Sequence, residues 1–306
     1  RSSAARWRSR PAPSVAAVAC LGVVFACACS APAEEEAASS QDSLSAGQPA
    51  SSALFAPTTK RIVVEVDYAP GAEPYEGSAT TVPDPWKIFR DNAKAILGGR
   101  VEVEVPGALA EMERLSDVDA TELDREDLVA IARKHRGTAS SGDTVSFYVV
   151  FLNGKFKDGD RVLDNTVGLS VRGTGIIAMF KPAISAGLKD PLSPVFMEQT
   201  TLVHEFGHAV GLVGEGMPAT SPHRDHARGA HCSNPSCIMF WRNDLVKEGV
   251  DFVSTQLTPR GGILFGPECL ADARALAAKP GSASSAPASH SWVASVAQPA
   301  TLIIDE

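Results

Sequence analysis

An α+β domain is the fold class that this 306-residue sequence predicts: a twisted mixed β-sheet with helices packed on it, then a smaller C-terminal part of helix and loop. Three observations predict it. Segments of alternating apolar and charged residues take turns with segments of helical period, a stretch dominated by helix follows them, and the composition is that of an ordinary folded unit, 44% hydrophobic, 21% charged and 6% aromatic. That composition excludes a wholly disordered, fibrous or multi-span membrane chain. The 28 basic residues against 36 acidic, a formal charge of -8, give no broad cationic surface, so nucleic acid is not an expected partner.

Residues 1–29 read as a leader. Arg1, Arg6, Arg8 and Arg10 precede the uncharged run VAAVACLGVVFACAC at 15–29, a secretory h-region by length and flank and too short for a stable membrane-spanning helix. Its end resembles a bacterial lipobox, in which a small residue precedes the cysteine to be lipidated; Ala26-Cys27 and Ala28-Cys29 both satisfy it, and Cys29 is preferred. A plain secretory peptide is the alternative, and either one exports the protein. Residues 30–59, rich in Ala, Ser, Glu and Pro, read as a disordered tether, and 280–306 as a low-complexity tail. Residues 60–279 remain as one domain.

Within that domain RIVVEVDY at 61–68 alternates as a half-buried strand closed by Pro70-Gly71. Residues 85–97 carry Trp86, Phe89, Ala93 and Ile96 or Leu97 at helical spacing, with Gly98-Gly99 as the stop. A short strand follows at 100–105, and residues 122–135 form an amphipathic helix capped by Thr121. TVSFYVVFL at 144–152 is apolar enough for a central strand. Residues 167–171 and 175–180 make two more strands, one of which is expected at a sheet edge beside a cleft, and a helix spans 197–212.

The chemistry is concentrated in that helix and after it. Five of the seven histidines, His204, His208, His223, His226 and His231, fall within 28 residues, which points to a metal. His204-Glu205-Phe206-Gly207-His208 is an HExxH pattern. Residues four apart on a helix point the same way, so the two imidazoles converge on one ion from a rigid element, while Glu205 lies about 100° round the helix, beside the ion and not on it. Zn²⁺ suits imidazole ligands and brings a bound water to a pKa of about 7, which makes Glu205 a general base. Gly211 is placed to end the helix sharply and return the chain with a third ligand.

HExxHxxG at 204–211, followed by His231-Cys232 and by Cys237-Ile238-Met239, resembles the active-site stretch of archaemetzincins, zinc peptidases of the metzincin group. The clear resemblance covers residues 201–241, with a fainter echo at 265–270. It implies a zincin-type fold, zinc held by His204, His208 and His231, Glu205 as catalytic base, and Met239 in a tight turn beneath the metal. The substrate would be a peptide, hydrolysed by the zinc-bound water and held in extended form along the edge strand. A zinc-holding binding module without turnover is the alternative function, and the presence of Glu205, which zinc binding does not require, speaks against it.

Two departures stand out. The metzincin pattern has two residues between its glycine and third histidine, whereas residues 212–230 here make nineteen. His231 keeps the third-ligand role, with His223 and His226 as rivals that read as solvated loop residues, and Glu215 or Glu248 as glutamate alternatives. The family also holds a four-cysteine zinc site, but Gly266 stands at the third position, leaving Cys232, Cys237 and Cys269. The expectation is that the second site is lost and that, in an exported protein, Cys232 pairs with Cys237, with Cys269 the odd thiol, either buried or paired with one of the other two; the connectivity stays open.

Overall fold

The computed structural model describes residues 54–78, 82–186, 188, 191–214, 219–241, 252 and 262–278. The leader, most of the tether and the C-terminal tail lie outside these residues. So do Glu215 and Glu248.

Strand β1 (Arg61–Tyr68) and the nine-residue β5 (Thr144–Leu152) form the centre of a six-stranded sheet, paired in parallel from Arg61 opposite Thr144 to Tyr68 opposite Phe151. Both are rich in valine and aromatic residues, as a strand covered on both faces requires. Helix α1 (Trp86–Ile96) crosses over to β2 (Glu102–Glu104), which pairs in parallel on the far side of β1, and the two-residue β3 (Glu113–Arg114) pairs with the end of β1. On the other side of β5 comes β9 (Ile176–Phe180), parallel, and then β8 (Gly168–Val171), antiparallel to β9 and at the sheet's edge. The sheet is therefore mixed: parallel in the middle with one reversed edge strand.

The apolar alternation of β1 decides which side each helix takes. Ile62, Val64 and Val66 are buried on the face shared with Phe147, Val149 and Phe151, and onto it pack α1 and the long helix α4 (Ser193–Ala209). Phe206 of α4 sits at the junction, its ring 5.1 Å from Phe89 of α1 and 5.0 Å from Phe147 of β5, both edge-on. Helix α2 (Arg125–His135) packs on β8 and β9. Helix α5 (Pro267–Ala277) contacts α1 and carries the C-terminal part of the described chain.

The structure corrects several expected boundaries. Glu122 and Leu123 do not begin α2: they form β4 (Glu122–Leu123), which pairs with β6 (Lys155–Asp158) in a separate three-stranded sheet completed by β7 (Arg161–Leu163). The cap is Asp124, not Thr121. Its carboxylate accepts from the N–H of Asp127 (3.0 Å), and the Asp127 carboxylate accepts in return from the N–H of Asp124 (2.9 Å), a reciprocal box that Thr121 is too far upstream to make. Helix α4 opens at Ser193-Pro194, four residues before the expected start, with proline in the first turn, where its missing N–H is harmless. The short α3 (Lys181–Ser185) and the β6–β7 hairpin, which turns at Gly159 (φ 58°), have no counterpart in the sequence reading. At the N-terminal side Leu54 and Phe55, inside the stretch read as tether, are buried in the core, and Arg100 donates to the carbonyls of Phe55, Ala56 and Thr59.

Candidate metal centre

Helix α4 carries His204, Glu205 and His208 on its last turns, and its end is built to release the chain at once. Gly211 takes a left-handed conformation (φ 86°), its N–H bonds the carbonyl of His208 (2.9 Å), and the N–H of Leu212 reaches back to Gly207 (2.9 Å). This pair of bonds is a Schellman stop, which needs glycine at the left-handed position. The chain runs through the insertion and returns as a loop closed by the N–H of Asp225 on the carbonyl of His231 (2.8 Å) and by bridge pairings of Cys232 with Arg224 and with Phe240.

That return brings His231 onto His204 and His208. The three rings have centroids 4.7, 5.4 and 5.0 Å apart, and one ligand nitrogen from each lies within 4.8 Å of the others. The Nε2 atoms of His204 and His208 are 3.0 Å apart, close to the roughly 3.3 Å that separates two nitrogens on one tetrahedral zinc ion. Two of the rings are oriented by backbone: His204 Nδ1–H donates to the Ile238 carbonyl and His231 Nδ1–H to the Arg228 carbonyl, both at 2.6 Å. Such bonds fix the tautomer and turn the other ring nitrogen to the centre. Three imidazoles so placed can hold a metal ion. His204 and His231 are buried and His208 is partly exposed, so the cluster opens to solvent on the His208 side.

Glu205 is buried at 6% exposure between α4 and the edge strand β8. A Cβ on Gly168, the first residue of β8, would lie 2.8 Å from Glu205 Cγ and 2.7 Å from Thr201 Cγ2, so glycine is what lets the strand approach. Met239 is fully buried against the same helix, and a Cβ on Gly207 would meet its sulfur at 2.3 Å. The segment bearing it is a tight turn, closed by Phe240 N–H on the Cys237 carbonyl (3.0 Å) and stitched to Leu264 by the N–H of Ile238 (2.9 Å).

The two rival histidines go elsewhere. His226 is exposed in the returning loop. His223, read as solvated, is buried at 5% and sits with the cysteines, its Nε2–H donating to Asp272 of α5 (2.7 Å). The expected Cys232–Cys237 disulfide is not formed: no disulfide joins the three buried cysteines, which share one pocket as thiols. Hydrogen bonds from Cys237 and Cys269 pull the Cys232 thiol down to about 2, while the bond to Cys232 pushes Cys237 up to about 12 and Cys269 upward as well. Sequence spacing raises His223 only as a rival for the histidine cluster, because the partner that fixes its place, Asp272, lies 49 residues away.

Among solved structures, the chain is similar to a zinc-dependent peptidase from Methanocorpusculum labreanum, at 14% identity over 69% of this chain and 99% of that one, with a TM-score of 0.39. No protein-family profile matches the sequence, and no curated protein does.

Proposed function

We propose that the chain is a zinc-dependent metallopeptidase. The observation that carries this reading is the convergence of three imidazoles beside a carboxylate one residue along the same helix, with a sheet edge lying against that carboxylate. His204, His208 and His231 would hold the ion, a three-histidine donor set of the kind that leaves a fourth position open in catalytic zinc sites. Zinc bound there supplies a Lewis acid for the substrate carbonyl and lowers the pKa of a water to about 7.

This chain's own residues do the rest. Glu205, buried beside the cluster, would serve as the general base and then the general acid, accepting a proton at its carboxylate and returning it to the departing amine. The carbonyls of Ile238 and Arg228 hold two of the ligand rings in one tautomer. The outer edge of β8, which pairs with no other strand among the described residues, would offer its backbone groups to an extended peptide lying across the face of Glu205. Met239 lines the floor of the site as a Met-turn, filling the hollow that Gly207 leaves in the helix.

The test is zinc content and casein turnover for the wild type and Glu205→Gln side by side. Zinc bound by both, with turnover falling roughly 10²–10⁴-fold in the variant, supports the peptidase. Zinc in both and turnover in neither means a zinc-holding binding module instead. The leader belongs to the same proposal: export with a lipid anchor on Cys29 or Cys27 predicts recovery in the membrane fraction that is lost when both are changed to serine. No helix among the described residues is long and apolar enough to cross a membrane.

A further inference from the structure

We infer that Cys232, Cys237, Cys269 and His223 form a second, structural zinc site of Cys3His composition, with its imidazole supplied by the insertion that separates Gly211 from His231. Ligand atoms of His223, Cys232 and Cys269 lie within 4.8 Å of one another. His223 Nδ1 is 3.4 Å from Cys232 Sγ and 4.0 Å from Cys269 Sγ, and Cys237 Sγ is 3.6 Å from Cys269 Sγ. Two sulfurs, or a sulfur and a nitrogen, on one tetrahedral zinc are about 3.6–3.8 Å apart, so these three separations are close to edges of the required tetrahedron, with Cys237 joined to the triplet of His223, Cys232 and Cys269 through Cys269.

The surroundings are those of metal-bound thiolates. All four residues are buried, leaving no open position, as in a closed structural site. Backbone N–H groups donate to the sulfurs, from Gly266 to Cys237 (3.0 Å) and from Asn234 to Cys232 (3.4 Å). Asp272, itself 2% exposed, accepts from His223 Nε2–H and so turns Nδ1 toward the sulfurs, the outer carboxylate commonly found behind a zinc-bound histidine. Its other oxygen accepts from the N–H and hydroxyl of Thr220 (2.6 and 2.7 Å), which seats the insertion on α5.

This site is not the four-cysteine one implied by the sequence resemblance. A Cβ at Gly266 would lie 2.9 Å from the Cβ of Cys237, so a side chain there is shut out, and that position contributes its N–H in place of a sulfur. The fourth ligand comes from the opposite direction, out of the insertion. Because Cys232 follows His231 directly, the site also fastens the third imidazole of the histidine cluster; that consequence, unlike the site itself, rests on the peptidase reading.

The experiment is metal stoichiometry of the full chain after reconstitution with Zn²⁺ alone. The wild type should hold two equivalents, and His204→Ala/His208→Ala one. Refilled with Co²⁺, that double variant should show the near-ultraviolet sulfur-to-cobalt charge-transfer band that a nitrogen site lacks. His223→Ala and Cys269→Ser should each drop the wild type from two equivalents to one. Should Cys269→Ser fail to fold, the double variant decides by itself. A folded double variant that binds no metal, a cobalt spectrum without the sulfur band, or an intact mass short by two hydrogens from a disulfide would each overturn the site. The metal content and cobalt spectrum of the double variant involve neither turnover nor the histidine cluster, so failure of the peptidase reading leaves those two readouts unmoved.

Discussion

Gly168 and Gly207 set how close the neighbouring segments come to the histidine cluster, one admitting the edge strand to Glu205 and the other admitting Met239 to the helix. Gly168→Ala places a methyl within 2.8 Å of Glu205 Cγ and must displace that carboxylate while leaving the imidazoles untouched. The expected outcome is normal zinc content with kcat lowered at least about 10-fold, since a misplaced base loses much of its acceleration. His226→Ala should change neither metal content nor turnover, whereas His231→Ala should lose the catalytic zinc; equilibrium dialysis against Zn²⁺ distinguishes them. Asp67, on the other side of the sheet, gives a prediction in pH. Burial pushes its carboxyl up to about 6 from an ordinary 3.8, and the hydroxyl of Tyr148 pulls part of the way back. The folded state therefore binds this proton more tightly than the unfolded chain, and the stability it contributes below about pH 4 is lost as pH rises through 6. Asp67→Asn should gain on the order of 2 kcal/mol relative to the wild type between pH 4 and pH 7, read from urea midpoints.

At the scale of elements, helix α4 is held at both ends by different physics. Near its start Glu198 is fully buried, its carboxyl pushed up by burial and pulled back by the Lys181 ammonium 2.5 Å away, which also lies over the Tyr75 ring. Lys181→Met leaves that carboxylate without its cation, a change that costs about 3–5 kcal/mol in comparable buried pairs and should appear as a large drop in Tm. At the C-terminal end the stop depends on Gly211 in its left-handed conformation. Gly211→Ala should cost about 1 kcal/mol in stability and more in zinc affinity, because the exit of the helix aims the insertion that brings back His231. Helices α2 and α4 show what the sequence could and could not say at this level. Their apolar periodicity was plain, but the cap of α2 moved to Asp124 because Leu123 is worth more buried in a strand against β6 than exposed in a first turn.

At the scale of the molecule, two potential metal centres share one short stretch, with His231 in one and Cys232 in the other. Metal held at either would bind the folded chain, so chelation should act on stability as well as on turnover. At zinc concentrations about 100-fold above Kd each site adds about 2.7 kcal/mol, and stripping one should lower Tm by about 5–10 °C in a differential scan. Loss of turnover on chelation with no change in Tm would argue against a structural ion. The central sheet follows from local pattern, since β1 and β5 occupy the stretches their alternation and apolar content predict. The smaller sheet does not, because two- to four-residue strands carry too little pattern to be seen without their partners.

HExxH on one helix, the glycine that ends it and the apolar strands before it are local features, each decided by residues within a few positions of one another, and the sequence alone determined them. Which imidazole joins that pair, and whether the cysteines bond to each other or gather round a histidine, depends on how the nineteen residues between Gly211 and His231 fold back. Only the tertiary structure decided that. The anchors of the insertion, Asp272 for Thr220 and His223 and the carbonyls of Ile238 and Arg228 for the rings, come mostly from segments distant in sequence. Contacts of that kind are fixed by packing and leave no spacing to read.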